Sequence, residues 1–137
     1  MNVITTGRAL GAEIVGIDLS KEVSAADREF IVNTYTQHLV LLFRGQSLSF
    51  ADLLRLREVF GPPGQAANQL LGLGRKKYLP DDVPDDITII SNITDAAGKP
   101  IGALGDGEAF WHTDSSFTET PISASLLHAI EVTEHGG

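Results

Sequence analysis

A chain of 137 residues, 42% of them hydrophobic and 20% charged, is long enough for one globular domain with a buried core. Its formal net charge of -8 argues against nucleic acid as a partner and against an anionic membrane surface, because both demand a basic face. The lack of cysteine excludes disulfides and thiolate metal sites, and no stretch has the apolar length of a signal peptide or a membrane helix, so we expect a cytoplasmic protein.

The first elements are a strand followed by a capped helix. Residues 12–19 (AEIVGIDL) mix β-branched residues with near-alternation, which is typical of a strand. Ser24 is placed as an N-cap, and Asp27, three residues later, is its capping-box partner. Apolar residues then recur at helical spacing, which predicts a helix over 25–38.

A second strand and a second capped helix are predicted next in the chain. The apolar run 40–43 (VLLF) predicts a short buried strand. Ser49 and Asp52 repeat the capping signature, and an apolar stripe follows them. Gly61, followed by two prolines, is expected to end this second helix.

The second half is richer in loops and strands. Residues 64–86 are expected to form a long loop, and 87–90 (ITII) a strand. Residues 95–107, with four glycines and a proline, predict another loop, after which 109–113 re-enters a strand. The pattern at 123–132 allows either a strand or a helix. These connections are too irregular for repeated βαβ units, so an α+β or β-barrel-based fold is expected.

A histidine and a carboxylate stand two residues apart in the stretch EAFWHTDSSF. On a strand, His112 and Asp114 would share one face at about 6.6–6.8 Å between Cα atoms, with Trp111 and Thr113 turned the other way into packing. Imidazole and carboxylate are ligands of the two-His-one-carboxylate site that holds Fe(II) in oxygenases. A hydrogen-bonded structural pair is the alternative, because H-x-D alone is a weak motif.

The wider context makes the pattern far more specific. The phrase GDGEAFWHTDSSF resembles the taurine dioxygenase-like (TauD/TfdA) family of Fe(II)/2-oxoglutarate-dependent oxygenases. Further segments that resemble the family, in the family's order, are LGAEI at 10–14, GIDLS at 16–20, LVLLFRGQ at 39–46, Phe60-Gly61, Pro121 and LLHA at 126–129.

The resemblance implies part of a double-stranded β-helix, a jelly-roll-like barrel with N-terminal flanking helices. It implies that His112 and Asp114 are two of three iron ligands, with no separate catalytic residue. It further implies that 2-oxoglutarate is the cosubstrate, and that O₂ is used to hydroxylate a small organic substrate with release of succinate and CO₂. Phe117 and Glu108 match substrate-pocket positions of the family. Glu108 stands where taurine-specific members have asparagine, which puts taurine itself in doubt.

Relatives carry a third ligand, a distal histidine, and an arginine that binds 2-oxoglutarate, both much later in the chain. We therefore expect residues 1–137 to be the N-terminal portion of a single oxygenase domain, with the 2-oxoglutarate-binding residues beyond Gly137. Such a chain should be inactive alone, and the complete protein could be a homo-oligomer. The alternative is an inactive fragment or a degenerate paralogue that serves as a binding or assembly module.

Other candidate groups are interpreted as structural. His38 falls at a helix C-terminus, where a partly charged imidazole is favourable. His128 lies in an apolar run and His135 is expected to be solvated. The acidic residues of 81–86 lack the spacing of a calcium loop.

Overall fold

A computed structural model describes residues 1–62, 82–104, 110–132 and 134–135. The chain forms two compact units, of which the first comprises Met1–Pro62 with Ala124–Gly137 and the second comprises Pro63–Ser123. Within the described ranges, no helix is long and apolar enough to span a bilayer.

The first unit contains a three-stranded sheet in the order β1-β2-β3. Strand β1 (Asn2–Thr5) pairs with β2 (Ala12–Val15) in antiparallel register, and β2 pairs in parallel with β3 (Leu41–Leu42). The backbone at Gly16, with φ of 84°, ends β2. The strand predicted over 12–19 is therefore confirmed only in its first half.

The first unit also contains two helices. Helix α1 (Ala25–His38) has the predicted bounds, and the Ser24 hydroxyl accepts a hydrogen bond from the Asp27 amide. Its C-cap is Leu39, a non-glycine residue at φ of 62°. Helix α2 (Phe50–Arg57) begins with a complete capping box and continues into a 3₁₀ turn (Glu58–Phe60) that stops at Gly61, as predicted.

The core of the first unit lies where these elements meet. Ile14 of β2 and Ile31 of α1 are each only 2% exposed. A Tyr35–Phe60 ring contact, 5.2 Å between centroids, and a bond from Arg28 Nε to the Val59 carbonyl join α1 to the 3₁₀ turn. The buried residues that make up the cluster are Ile14, Leu19, Ile31, Leu56 and Val59.

The described residues of the second unit are mostly turns and short strands. Strand β4 (Ile90–Ser91) pairs in parallel with β5 (Ala103–Leu104). Between them the Asp95 carboxylate accepts bonds from the amides of Ala97 and Lys99 and closes a turn. Val83 is buried, with 2% exposure.

Several expectations for the second half need correction. The strand predicted at 87–90 exists only as Ile90–Ser91, and β5 lies inside the predicted loop 95–107. Residues 110–113 form no strand, and 123–132 form neither of the two elements left open. Most of the predicted loop 64–86 lies outside the described residues.

The fold class is α+β in the described residues: a small mixed sheet, two helices and a second pair of strands. Parallel β2 and β3 are joined through α1, which makes a single βαβ connection, while no repeated βαβ units are seen in the described residues. The double-stranded β-helix stays a prediction.

Candidate metal centre

His112 and Asp114 are brought together, although not by a strand. Residues 110–113 have no regular secondary structure, and a turn follows at 114–117. The predicted strand geometry at this site is therefore wrong. The two side chains nevertheless meet, with 3.0 Å between His112 Nε2 and Asp114 Oδ1. Both remain largely exposed, at 69% and 60%.

The other ring nitrogen of His112 is held by the backbone. Nδ1 lies 2.6 Å from the Phe110 carbonyl oxygen, which can only accept, so Nδ1 carries the proton. This bond, followed by the charge of Asp114, raises the pKa of His112 above its usual value. The contact also fixes the ring orientation and directs Nε2 towards Asp114.

These features fit a metal site. Two donor atoms about 2.1 Å from one ion and at right angles lie about 3.0 Å apart, which matches the distance between Nε2 and Oδ1. Metal-binding histidines commonly donate their second N–H to a backbone carbonyl, as Nδ1 does here. The pair could therefore hold one ion in adjacent positions, with Nε2 offering its lone pair in place of a proton.

The chain turns immediately after Asp114. Ser115 has a φ of 55°, in the left-handed region that non-glycine residues rarely occupy. Its carbonyl accepts from the Thr118 amide at 3.1 Å and from the Thr118 hydroxyl at 2.8 Å. This turn fixes the direction in which the chain leaves the carboxylate.

The neighbouring aromatic residues are exposed. Trp111 is fully exposed, so the expectation that it faces into packing is wrong. Phe110 and Phe117 are also exposed, at 75% and 66%. Glu108, the other predicted pocket residue, lies outside the described residues.

None of the other histidines in the described residues adds a third ligand to this pair. In the described ranges, no group of three or more potential ligands (His, Cys, Asp or Glu) is close enough to hold an ion. His38 lies in the last turn of α1 as predicted, His128 is half-buried and His135 is exposed.

Two contacts at this site were missed from the sequence. The Phe110 carbonyl is a backbone group that every residue type has, so the sequence gives no signal for this contact. The Ser115–Thr118 turn had a weak signal in its Ser-Ser-Phe-Thr sequence, because serine and threonine favour local bonds to the backbone.

A known protein family matches almost the whole chain. The family model described as "Taurine catabolism dioxygenase TauD, TfdA family" matches residues 3–137. The chain belongs to this family. The match includes both His112 and Asp114 and covers both compact units.

Three relatives align with nearly all of the chain. Pentalenolactone F synthase of Streptomyces avermitilis is 37% identical over 96% of this chain and 40% of its own length. An alkylsulfatase of Acinetobacter baylyi is 30% identical over 96% and 36%, respectively. An alpha-ketoglutarate-dependent sulfate ester dioxygenase of Pseudomonas putida is 29% identical over 93% and 36%. The chain thus spans well under half the length of these relatives.

Proposed function

We propose that this chain supplies two Fe(II) ligands, His112 and Asp114, to a 2-oxoglutarate-dependent dioxygenase that acts on a small organic substrate. The observation that carries the proposal is the pairing of Nε2 with Oδ1 at 3.0 Å, with Nδ1 held by a backbone carbonyl. Family membership supports it, because one relative is named as an alpha-ketoglutarate-dependent dioxygenase.

Each group has a defined task in this proposal. His112 offers the Nε2 lone pair, and the Phe110 carbonyl prevents the ring from rotating away. Asp114 adds a negative charge beside the imidazole, which favours a divalent cation over a neutral occupant. Fe(II), when bound, would supply O₂ activation at the expense of 2-oxoglutarate, which is converted to succinate and CO₂.

The rest of the site is proposed to come from elsewhere. A facial triad needs a third protein ligand, and the described residues bring only two candidate side chains together. The third ligand and the groups that bind 2-oxoglutarate are therefore assigned outside the described residues. Phe117 and Glu108 are proposed to contact the substrate, and the exposed ring of Phe117 is available for an apolar group.

The test is succinate formation from 2-oxoglutarate in the natural full-length polypeptide that contains residues 1–137. We expect turnover that requires Fe(II) and O₂ together, and its loss in His112→Ala and Asp114→Ala. The matched control His135→Ala changes an exposed histidine and should retain activity. The 137-residue chain alone should give no turnover.

Two outcomes would contradict the proposal. Turnover that survives His112→Ala would remove the ligand assignment. A stable full-length protein without Fe(II)-dependent turnover on any small organic compound tested would favour the binding or assembly module instead.

A further inference from the structure

Two residues anchor the chain just after the candidate ligands. Between residues 111 and 120, Ser115 and Thr118 are half-buried, while the other eight are exposed. The same two residues share the turn that follows Asp114. Burial and hydrogen bonding therefore single out one pair within an otherwise solvent-facing segment.

The anchor depends on one carbonyl group. The Ser115 carbonyl oxygen accepts one hydrogen bond from the Thr118 amide and a second from the Thr118 hydroxyl. The side chain therefore reinforces the turn that the backbone hydrogen bond closes. Ser115 also holds a φ of 55°, a conformation that costs a non-glycine residue free energy unless its surroundings maintain it. The Thr118 hydroxyl is placed to maintain it.

This turn bears directly on the carboxylate. No strand holds residues 110–113, so the position of Asp114 depends on local contacts. His112 is fixed from the N-terminal side by the Phe110 carbonyl, and the turn fixes Asp114 from the C-terminal side. A shift at Ser115 would move the Asp114 backbone to which the carboxylate is attached.

We propose that Thr118 is a positioning residue, whose hydroxyl holds the Ser115 turn and so keeps the Asp114 carboxylate in place for a divalent cation beside His112. The proposal rests on the function proposed above. The Thr118 hydroxyl donates to the Ser115 carbonyl, and we assign it no contact with the ion.

The experiment compares three variants of the 137-residue chain. Thr118→Val removes the hydroxyl but keeps the branched shape, and Thr118→Ser restores the hydroxyl. Thr120→Val is the matched control, since it makes the same change at an exposed position two residues away. Dissociation constants for Mn²⁺ are read from paramagnetic line broadening. The αL population of Ser115 is read from backbone couplings in the metal-free protein.

We expect Thr118→Val to weaken Mn²⁺ binding about 3- to 10-fold, as loss of one hydrogen bond implies, and to reduce the αL population of Ser115. Thr118→Ser should restore both readouts, and Thr120→Val should change neither.

The possible failures can be told apart. If Thr118→Val binds Mn²⁺ normally while His112→Ala does not, the positioning role is overturned and the metal site stands. If His112→Ala and the parent chain bind Mn²⁺ equally, both proposals are overturned. An unchanged αL population in Thr118→Val would also overturn the positioning role.

Discussion

Single side chains hold the irregular parts of this molecule by bonding to the backbone. The clearest example is Gln46, which connects two loops of the first unit. Its Oε1 accepts from the Leu19 amide at 2.8 Å, and its Nε2 donates to the carbonyls of Ile17 and Arg44, each at 3.1 Å. Leu19 belongs to the buried core, so Gln46 stabilises the loop that delivers a core residue.

Replacing Gln46 should therefore destabilise the fold. Gln46→Ala leaves the Leu19 amide and two carbonyls without their side-chain partner, and we expect a loss of about 1–3 kcal/mol in the free energy of unfolding. Urea denaturation of the 137-residue chain, followed by circular dichroism, measures it. Gln37→Ala, on the exposed side of α1, is the control and should cost far less. Equal losses in the two variants would contradict the role given to Gln46.

The sequence predicts the candidate ligand side chains better than it predicts the backbone contacts that hold them in place. His112 and Asp114 could be selected as candidate metal ligands because imidazole and carboxylate groups are recognisable from the residue type alone. The Phe110 carbonyl and the left-handed Ser115 could not be selected, because every residue has a carbonyl and serine is seldom left-handed. The exposure of Trp111 could not be predicted either, because side chains alternate between two faces only in a strand, and this segment does not form one.

Among the secondary-structure elements, the N-terminal ends of the helices are predicted best from the sequence. At α2, the Ser49 hydroxyl accepts from the Asp52 amide, and the Asp52 carboxylate accepts from the Ser49 amide at 2.9 Å. Arg55 Nη2 also lies 2.8 Å from that carboxylate. These contacts are local in sequence, so spacing alone could predict the caps of both helices.

The cap of α2 should make stability depend on pH. The Ser49 hydroxyl, its amide and then Arg55 lower the pKa of Asp52 from 3.8 to about 2. A lowered pKa in the folded state stabilises the fold above pH 3.8, and this contribution is lost as the pH falls towards about 2. We therefore expect Asp52→Asn to be less stable than the parent above pH 4, with the difference shrinking below it.

Urea unfolding at several pH values between about 2 and 6 measures this difference. Ser49→Ala should reduce the same pH dependence, because it removes the largest cause of the pKa shift. Parallel stability curves for Asp52→Asn and the parent would show that the capping carboxylate does not act in this way.

Strands are predicted less well than helices, for a physical reason. The strands in the described residues are two to four residues long and depend on pairing partners distant in sequence, such as Ala12 with Leu41. Asn2–Thr5 (NVIT) does not alternate apolar and polar residues, so the sequence has no strand pattern at β1. Ala103–Leu104 sits among glycines, which favoured a loop.

Across the whole molecule, the packed core and the candidate site lie in different units. The buried cluster is formed by residues of Met1–Pro62, whereas His112 and Asp114 belong to Pro63–Ser123. His112 and Asp114 are both largely exposed, so we expect substitution of either to leave the helices and the core intact, which makes these variants clean tests of function. The α+β class followed from the sequence, whereas the double-stranded β-helix stays a prediction. The family followed from several motifs in order rather than from H-x-D alone.

Binding of Fe(II) to the 137-residue chain and its variants, measured anaerobically by titration calorimetry, tests the His112–Asp114 metal site most directly. We expect weak binding of one ion per chain, lost in both His112→Ala and Asp114→Ala and kept in His135→Ala, because two side chains supply adjacent donor atoms 3.0 Å apart. Binding that is equally strong in the parent, His112→Ala and Asp114→Ala would contradict it.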